Sequence, residues 1–129
     1  MSDETRLHWL RIALIACGLI FLLGVYPLAQ VWPSGWTWGH AHSHYLLMII
    51  GIYATLGVFL LLASREPLAN RSLIWFTVWS SVVHGAIMAM QAIRDPVEQG
   101  HLVGDVPALF IVAIVLGGLM PKGKAAATA

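Results

Sequence analysis

Charged residues are scarce in this sequence: Lys and Arg number 7, and Asp and Glu number 6, among 129 residues. About a quarter of the residues in a typical soluble protein are charged, so this scarcity excludes an ordinary soluble domain. The single cysteine, Cys17, excludes an intramolecular disulfide. A net charge of +1 without a continuous basic patch argues against a nucleic-acid partner.

Long apolar stretches replace the missing charge, and hydrophobic residues make up 59% of the chain. A helix needs about 20 apolar residues to cross the bilayer core, and four stretches qualify: residues 10–31, 44–64, 72–93 and 102–120. Only helices and closed barrels satisfy their backbone hydrogen bonds in lipid, and the sequence has no barrel-like strand pattern. It therefore predicts one all-α domain over residues 1–129, an up-down bundle of four transmembrane helices.

The basic residues predict the orientation of this bundle, because Lys and Arg near span ends are retained in the cytoplasm. With four spans, six basic residues fall on one side and only Arg94 falls on the other; the six are Arg6, Arg11, Arg65, Arg71, Lys122 and Lys124. Both termini are therefore predicted to be cytoplasmic.

Local signals predict further details of the bundle. Pro27 should kink the first span, because proline removes a helical hydrogen bond and crowds the preceding turn. Ser43 is expected to cap the second span. The loop between spans two and three is short, which predicts that these helices are antiparallel neighbours. Five aromatic residues near the outer boundary predict an interfacial belt: Tyr26, Trp32, Trp36, Trp38 and Tyr45.

Three of the six histidines, His40, His42 and His44, lie between the first outer loop and the start of span two. An extended His-x-His places both rings on one side of the backbone, and neutral imidazole suits zinc, copper, iron and nickel. The cluster predicts a metal site, with copper or zinc favoured and with Glu98 and His101 of the other outer loop as further ligands. Solvated interfacial histidines are the alternative.

Span three carries a polar and sulfur-bearing face that includes Ser80, His84, Met88 and Gln91 at helical spacing. An ionisable residue within a membrane span indicates a functional site by default. His84 is therefore a candidate for a haem or quinone site between helices. As a cofactor of the protein, haem is less favoured than copper or zinc. A hydrogen bond from His84 to a neighbouring serine or carbonyl is the alternative.

Small residues recur every four positions on the same span, at Ser81, Gly85 and Ala89. A small-xxx-small stripe of this kind predicts close packing against another helix. That helix belongs either to this chain or to a partner, which leaves a homo-oligomer and a larger membrane complex open.

Two segments carry a resemblance to a known family: Ser34-Gly35-Trp36-Thr37-Trp38-Gly39-His40-Ala41-His42-Ser43-His44-Tyr45 and Trp79-Ser80-Ser81-Val82-Val83-His84-Gly85-Ala86. The chain resembles small uncharacterised four-span bacterial integral membrane proteins over nearly the whole span region. The resemblance implies a multi-pass protein of the bacterial inner (cytoplasmic) membrane. It implies no activity and no cofactor.

Three functions therefore remain open for this chain. The first is transition-metal binding or handling at the outward-facing histidine cluster. The second is a non-enzymatic accessory or scaffold role in a larger membrane complex, through the stripe of small residues. The third is a haem or quinone site around His84. Catalysis is disfavoured, because no serine, cysteine or carboxylate nucleophile has a recognisable partner arrangement.

Overall fold

The computed structural model describes residues 1–39 and 43–122, and this part of the chain contains helices and no strands. Four helical segments are long and apolar enough to cross a membrane. They are span one (Asp3–Val31), span two (His44–Ala63), span three (Pro67–Arg94) and span four (Pro96–Leu119). The predicted all-α class with four spanning helices is confirmed.

Span one consists of three helical pieces: α1 (Asp3–Leu19), a π-helical segment (Ile20–Gly24) and α2 (Val25–Val31). Ser2 caps α1, since its hydroxyl oxygen accepts from the Thr5 N–H at 3.2 Å. The irregularity expected from Pro27 lies in the turn before the proline, where the Val25 N–H donates to the Ile20 carbonyl. Pro27 has no N–H to offer to the preceding turn, and a π segment is one way for a helix to continue past such a gap.

The remaining helices alternate in direction and define two ends of the bundle. The chain continues through α3 (Pro33–Trp36), α4 (His44–Ala63), a 3-10 helix (Pro67–Asn70), α5 (Arg71–Arg94), a second 3-10 helix (Pro96–Val103) and α6 (Asp105–Leu119). We call the end with residues 32–39, Ser43 and residues 95–104 the distal end, and the opposite one the terminal end. Ser43 occupies the N-cap position of α4, but its side chain caps no N–H among the described residues, contrary to expectation.

In the terminal half of the bundle, all four spans contribute to one hydrophobic core. Its fully buried members include Leu10 and Leu14 of span one, Leu60 of span two, Ile74 of span three and Leu116 of span four. Arg6 adds a polar link between the first and last spans, because its Nη1 donates to the Gly118 carbonyl at 2.6 Å. The terminal half is therefore closed by packing.

Spans one and two cross at a pair of glycines, Gly18 and Gly57. A Cβ on Gly57 would lie 2.6 Å from the Gly18 carbonyl oxygen and 2.7 Å from the Leu22 nitrogen. Contacts this short leave room for hydrogen only, so the two backbones touch directly. Small residues permit the same close approach in other membrane helix pairs.

In the distal half, spans three and four form a separate packed pair. Gly85 contacts the Phe110 ring, since a Cβ there would lie 3.3 Å from the ring atoms. Ala89 packs against a second core cluster whose buried members are Met88, Val106 and Leu109. The stripe of small residues on span three thus faces span four of the same chain in this structure.

Span two packs chiefly against span one and makes few contacts with span three. Spans two and three are antiparallel neighbours that share the terminal core, as the short connecting loop predicts, but span two packs more extensively on span one. The glycine crossing holds span two on span one, and the 3-10 helix in the connection lets span three diverge from it. The distal half is therefore divided into two pairs of spans with space between them.

Candidate functional site

A cavity of about 340 Å³ lies between the two pairs of spans in the distal half. Its lining comes from all four spans and from the first distal loop. The lining residues are Ala13, Ala16, Cys17, Ile20, Phe21 and Val25 of span one; Trp36 and Trp38 of the loop; Leu46, Ile49, Ile50 and Tyr53 of span two; His84 and Met88 of span three; and Asp105, Ala108, Leu109, Ile111, Val112 and Val115 of span four.

A hydrogen bond between Tyr53 and His84 crosses the gap between spans two and three. The Tyr53 hydroxyl lies 2.5 Å from His84 Nδ1, and the two rings stack with centroids 5.8 Å apart. Tyr53 follows the start of α4 by nine residues and His84 precedes the end of α5 by ten, so each lies about 13–15 Å from the distal helix ends. That depth is near the middle of a bilayer core about 30 Å thick.

This pair retains a hydrogen-bond donor in either arrangement of its protons. If the Tyr53 hydroxyl donates to Nδ1, a neutral His84 carries its own proton on Nε2, which has no partner among the described residues. If Nδ1 carries the proton and donates to Tyr53, the hydroxyl hydrogen is left over. Each tautomer therefore offers one N–H or O–H to a third group.

Trp36 supplies another donor without a partner. Its Nε1 is buried, and no acceptor within the described residues bonds to it. Trp36 also belongs to the cavity lining. Buried donors without a partner are rare in folded proteins, and one beside a cavity indicates an acceptor that a bound molecule brings.

A cluster of four side chains, Trp38, Glu98, His101 and Asp105, joins the distal loops to span four; we call it the distal clasp. The His101 ring stacks on Trp38 with centroids 4.0 Å apart, and its Nδ1 lies 2.8 Å from Asp105 Oδ1. The indole Nε1 of Trp38 donates to Asp105 Oδ2 at 2.9 Å. On the other side of the ring, His101 Nε2 lies 3.1 Å from Glu98 Oε2.

The partners of His101 fix where protons must lie in the distal clasp. Nε2 is 3.2 Å from the Thr37 carbonyl oxygen, which can only accept, so Nε2 carries a proton. The contact between Nδ1 and Asp105 then needs a second proton, held by the nitrogen or by the carboxyl oxygen. His101 is only 1% exposed, and both of its nitrogens lie within hydrogen-bond distance of a partner.

Two glycines allow the distal loops to come together at the clasp. A Cβ on Gly100 would clash with the Ser34 carbonyl oxygen, and a Cβ on Gly104 would clash with the Gly35 carbonyl oxygen. The second 3-10 helix therefore rests on α3 with backbone against backbone. This contact places Trp36 and Trp38 over the distal end of the cavity.

Of the predicted metal ligands, the structure brings together Glu98 and His101 among the residues that it describes. His40 and His42 lie outside the described residues, and His44 is exposed at the first residue of α4. Glu98 and His101 belong to the distal clasp. Within residues 1–39 and 43–122, no group of three His, Cys, Asp or Glu side chains is arranged to hold a metal ion.

The predicted polar face of span three divides between three environments. His84 and Met88 line the cavity. Ser80 bonds to the Thr77 carbonyl of its own helix at 3.3 Å. Gln91 is exposed in an open distal pocket that Trp38, Arg94 and Glu98 also line.

For three residues of the site, the sequence predicted another role or none. Trp36 and Trp38 were assigned to an interfacial belt, but both line the cavity and Trp38 is bonded to Asp105. Tyr53 was not singled out. Its hydroxyl stands out among the apolar residues of span two and could have identified it as a partner for His84.

Four apolar spans around an intramembrane cavity define a small, multi-pass helical protein of the membrane type. The chain belongs to the DUF6632 family, a family of unknown function, whose profile matches residues 4–127. This confirms the resemblance to uncharacterised four-span proteins. No curated protein and no solved structure matches the chain.

Proposed function

We propose that this protein binds a small apolar molecule with a hydrogen-bond acceptor, such as the carbonyl oxygen of a quinone, in the cavity between its two pairs of spans. The observation that carries the proposal is the Tyr53–His84 pair, which presents a spare donor inside an apolar cavity of about 340 Å³. Small-molecule sites are typically about 300–1,000 Å³, mostly apolar, with a few well-placed polar groups.

The chemistry of the polar groups favours an acceptor-bearing ligand. The Tyr53–His84 pair and the Trp36 Nε1 each have an unused donor. In a medium without water, such donors gain a hydrogen bond only from a ligand. The carbonyl oxygen of a quinone ring is an acceptor of this kind.

Haem fits this cavity less well than a quinone does. His84 and Met88 are the two side chains with axial-ligand chemistry in the lining of span three, and they stand one turn apart on the same helix face. Axial ligands approach an iron from opposite faces of the macrocycle, so these two cannot both bind one haem.

The proposal is tested by adding 1,4-naphthoquinone to the purified full-length protein and following tryptophan fluorescence. Trp36 and Trp38 line the cavity, so a bound quinone should quench their emission in a saturable way. His84→Phe and Tyr53→Phe should each weaken binding about tenfold, the equivalent of one lost hydrogen bond of about 1.4 kcal/mol.

Thr55→Val is the matched control for the two site variants. Thr55 lies on span two, is exposed, and bonds only to the Gly51 carbonyl of its own helix. It should bind the probe as the wild type does. Linear, non-saturable quenching of the wild type, or equal affinity in the His84→Phe and wild-type proteins, would count against the proposal.

Metal binding at His40, His42 and His44 stays a prediction of the sequence. Its support is the imidazole spacing and the exposure of His44 at the distal end. Metal analysis of the purified protein tests it directly. The prediction requires copper or zinc near one equivalent in the wild type and loss of that metal in His40→Ala/His42→Ala; equal, negligible metal in both proteins eliminates it.

The scaffold hypothesis uses the stripe of Ser81, Gly85 and Ala89 on span three as the docking face for a partner. In this structure Gly85 contacts the Phe110 ring of span four. A partner would have to displace span four or use another surface. Copurification of a partner that is lost in Gly85→Leu, with the isolated fold intact, would favour the scaffold role over ligand binding.

A further inference from the structure

The two most exposed large residues of the cavity lining belong to spans one and four. They are Ile20 of span one, 49% exposed, and Ile111 of span four, 60% exposed, and we take the side between them as the lateral opening. Span four packs mainly against α1 and much less against the π-helical segment. On the opposite side, the bond between Tyr53 and His84 joins spans two and three.

This lateral opening lies at the depth of lipid acyl chains. Ile111 follows the start of α6 at Asp105 by six residues, which places it about 9 Å along that helix. Ile20 precedes the end of α2 at Val31 by eleven residues, or about 16 Å. Both positions fall within a hydrocarbon core about 30 Å thick, so the opening faces hydrocarbon and not head groups.

We infer that the ligand is a tailed amphiphile that reaches the cavity from the bilayer through the lateral opening. Its acceptor-bearing head lies by Tyr53 and His84, and its hydrocarbon tail leaves between Ile20 and Ile111 into the lipid. The inference rests on the proposed function and narrows it from any apolar acceptor to lipid-tailed compounds, among them quinones with alkyl or isoprenoid tails.

The energetics agree with a tail outside the cavity. The cavity volume of about 340 Å³ is at the small end of the range of volumes found for ligand sites. A cavity of this size suits a head group without its tail. A hydrocarbon tail loses nothing by lying in lipid, because acyl chains are as apolar as leucine side chains. The polar head gains its hydrogen bonds only inside.

The inference is tested with two probes of the same head group, 1,4-naphthoquinone and its 2-decyl derivative. The full-length protein is reconstituted in lipid nanodiscs, and affinities from tryptophan quenching are expressed per mole of lipid. Ile111→Phe narrows the opening from span four, and Ile20→Phe narrows it from span one. Ile114→Phe is the matched control, since Ile114 is 72% exposed on the same helix but is not part of the cavity lining.

We expect Ile111→Phe and Ile20→Phe to weaken binding of the decyl probe about tenfold more than binding of the tail-less probe. Ile114→Phe should change neither. Equal weakening of both probes, or none in either opening variant, overturns the tailed-ligand inference while the proposed function stands. Failure of the wild type to bind either probe overturns the proposed function itself, and the inference with it.

Discussion

His101 shows how a single side chain can hold one end of this bundle together. Its ring stacks on Trp38 of the first distal loop, bonds to Asp105 at the start of α6, and donates to the Thr37 carbonyl. A buried polar group of this kind is stabilising only while each partner stays in place. The distal clasp therefore links the first distal loop to the start of span four through one imidazole.

Trp38→Phe should destabilise the protein although it keeps an aromatic ring beside His101. The change removes the indole N–H that Asp105 Oδ2 accepts, and an unpaired buried acceptor costs about 1–3 kcal/mol. A lower midpoint of thermal unfolding in detergent is the expected result.

Trp79→Phe is the control for this prediction, because Trp79 is 63% exposed on span three and has no hydrogen bond among the described residues. Its midpoint should stay at the wild-type value. If the two variants unfold at the same temperature, the bond from Trp38 to Asp105 contributes nothing to stability.

At the scale of residues, the sequence predicted which groups matter better than how they are engaged. His84, Met88, Glu98 and His101 were singled out by residue type and span position. The roles of Trp36 and Trp38 could not be predicted, because the same residue types at the same position also form interfacial belts. Only the fold of the distal loops separates these two uses.

The packing of spans one and two depends on a backbone contact between single glycines. Gly18 and Gly57 allow these helices to approach until carbonyl and amide groups touch. The same contact keeps span two away from span three, and so it maintains the cavity.

Gly57→Ala should therefore weaken the packing of span two on span one. The added methyl would lie 2.6 Å from the Gly18 carbonyl oxygen, and forcing extra volume into a packed interface costs about 1–3 kcal/mol. The expected outcome is a lower unfolding midpoint, followed by circular dichroism, together with weaker binding of the quinone probe.

Gly51→Ala is the matched control on the same helix, because no atom lies within 4 Å of a Cβ at that position. It should be neutral or slightly stabilising, since alanine favours a helix over glycine by about 1 kcal/mol. Comparable losses in both variants would show that span two is sensitive to alanine as such and not to the crossing.

The existence of four helices could be predicted from hydropathy, whereas their pairing could not. Long apolar runs determine spanning helices, because lipid leaves the backbone no other hydrogen-bond partners. Loop length predicted that spans two and three are antiparallel neighbours, but it did not predict that span two packs mainly on span one, with close contact at Gly18 and Gly57. Apolar periodicity does not predict the pairing of the helices, since most faces of a membrane helix are hydrophobic.

The whole molecule combines a closed half and a divided half. At the terminal end, all four spans share one core, with Leu10, Leu60, Ile74 and Leu116 fully buried. At the distal end the spans separate into two pairs, held by the Tyr53–His84 bond and by the distal clasp. Stability thus resides mainly at one end and the candidate site at the other.

The orientation of the bundle is a prediction at this scale. Arg6, Arg11, Arg65 and Arg71 lie at the terminal end, which should therefore face the cytoplasm. A green fluorescent protein fused after Ala129 should be fluorescent in bacterial cells, and alkaline phosphatase fused there should be inactive. The reverse pattern would place the distal end and its histidines in the cytoplasm.

At the scale of the molecule, fold class followed from composition, but the location of the cavity did not. The sequence directed attention to His40, His42 and His44, of which the structure describes only His44, exposed at the start of α4. The cavity depends on how the two pairs of helices diverge. That divergence depends in turn on the glycine crossing, the π segment and the contact of Gly104 with α3. The hydropathy of the sequence predicts none of these three features.

The π segment Ile20–Gly24 amounts to one surplus residue in span one. Deleting Leu23 would restore an ordinary α-helical turn and leave everything beyond it facing nearly as it does now, because the wide turn already absorbs the surplus residue. Val25, Trp36 and Trp38 would continue to border the hollow. Homologous chains that are shorter by one residue at this point should accordingly keep the binding chamber.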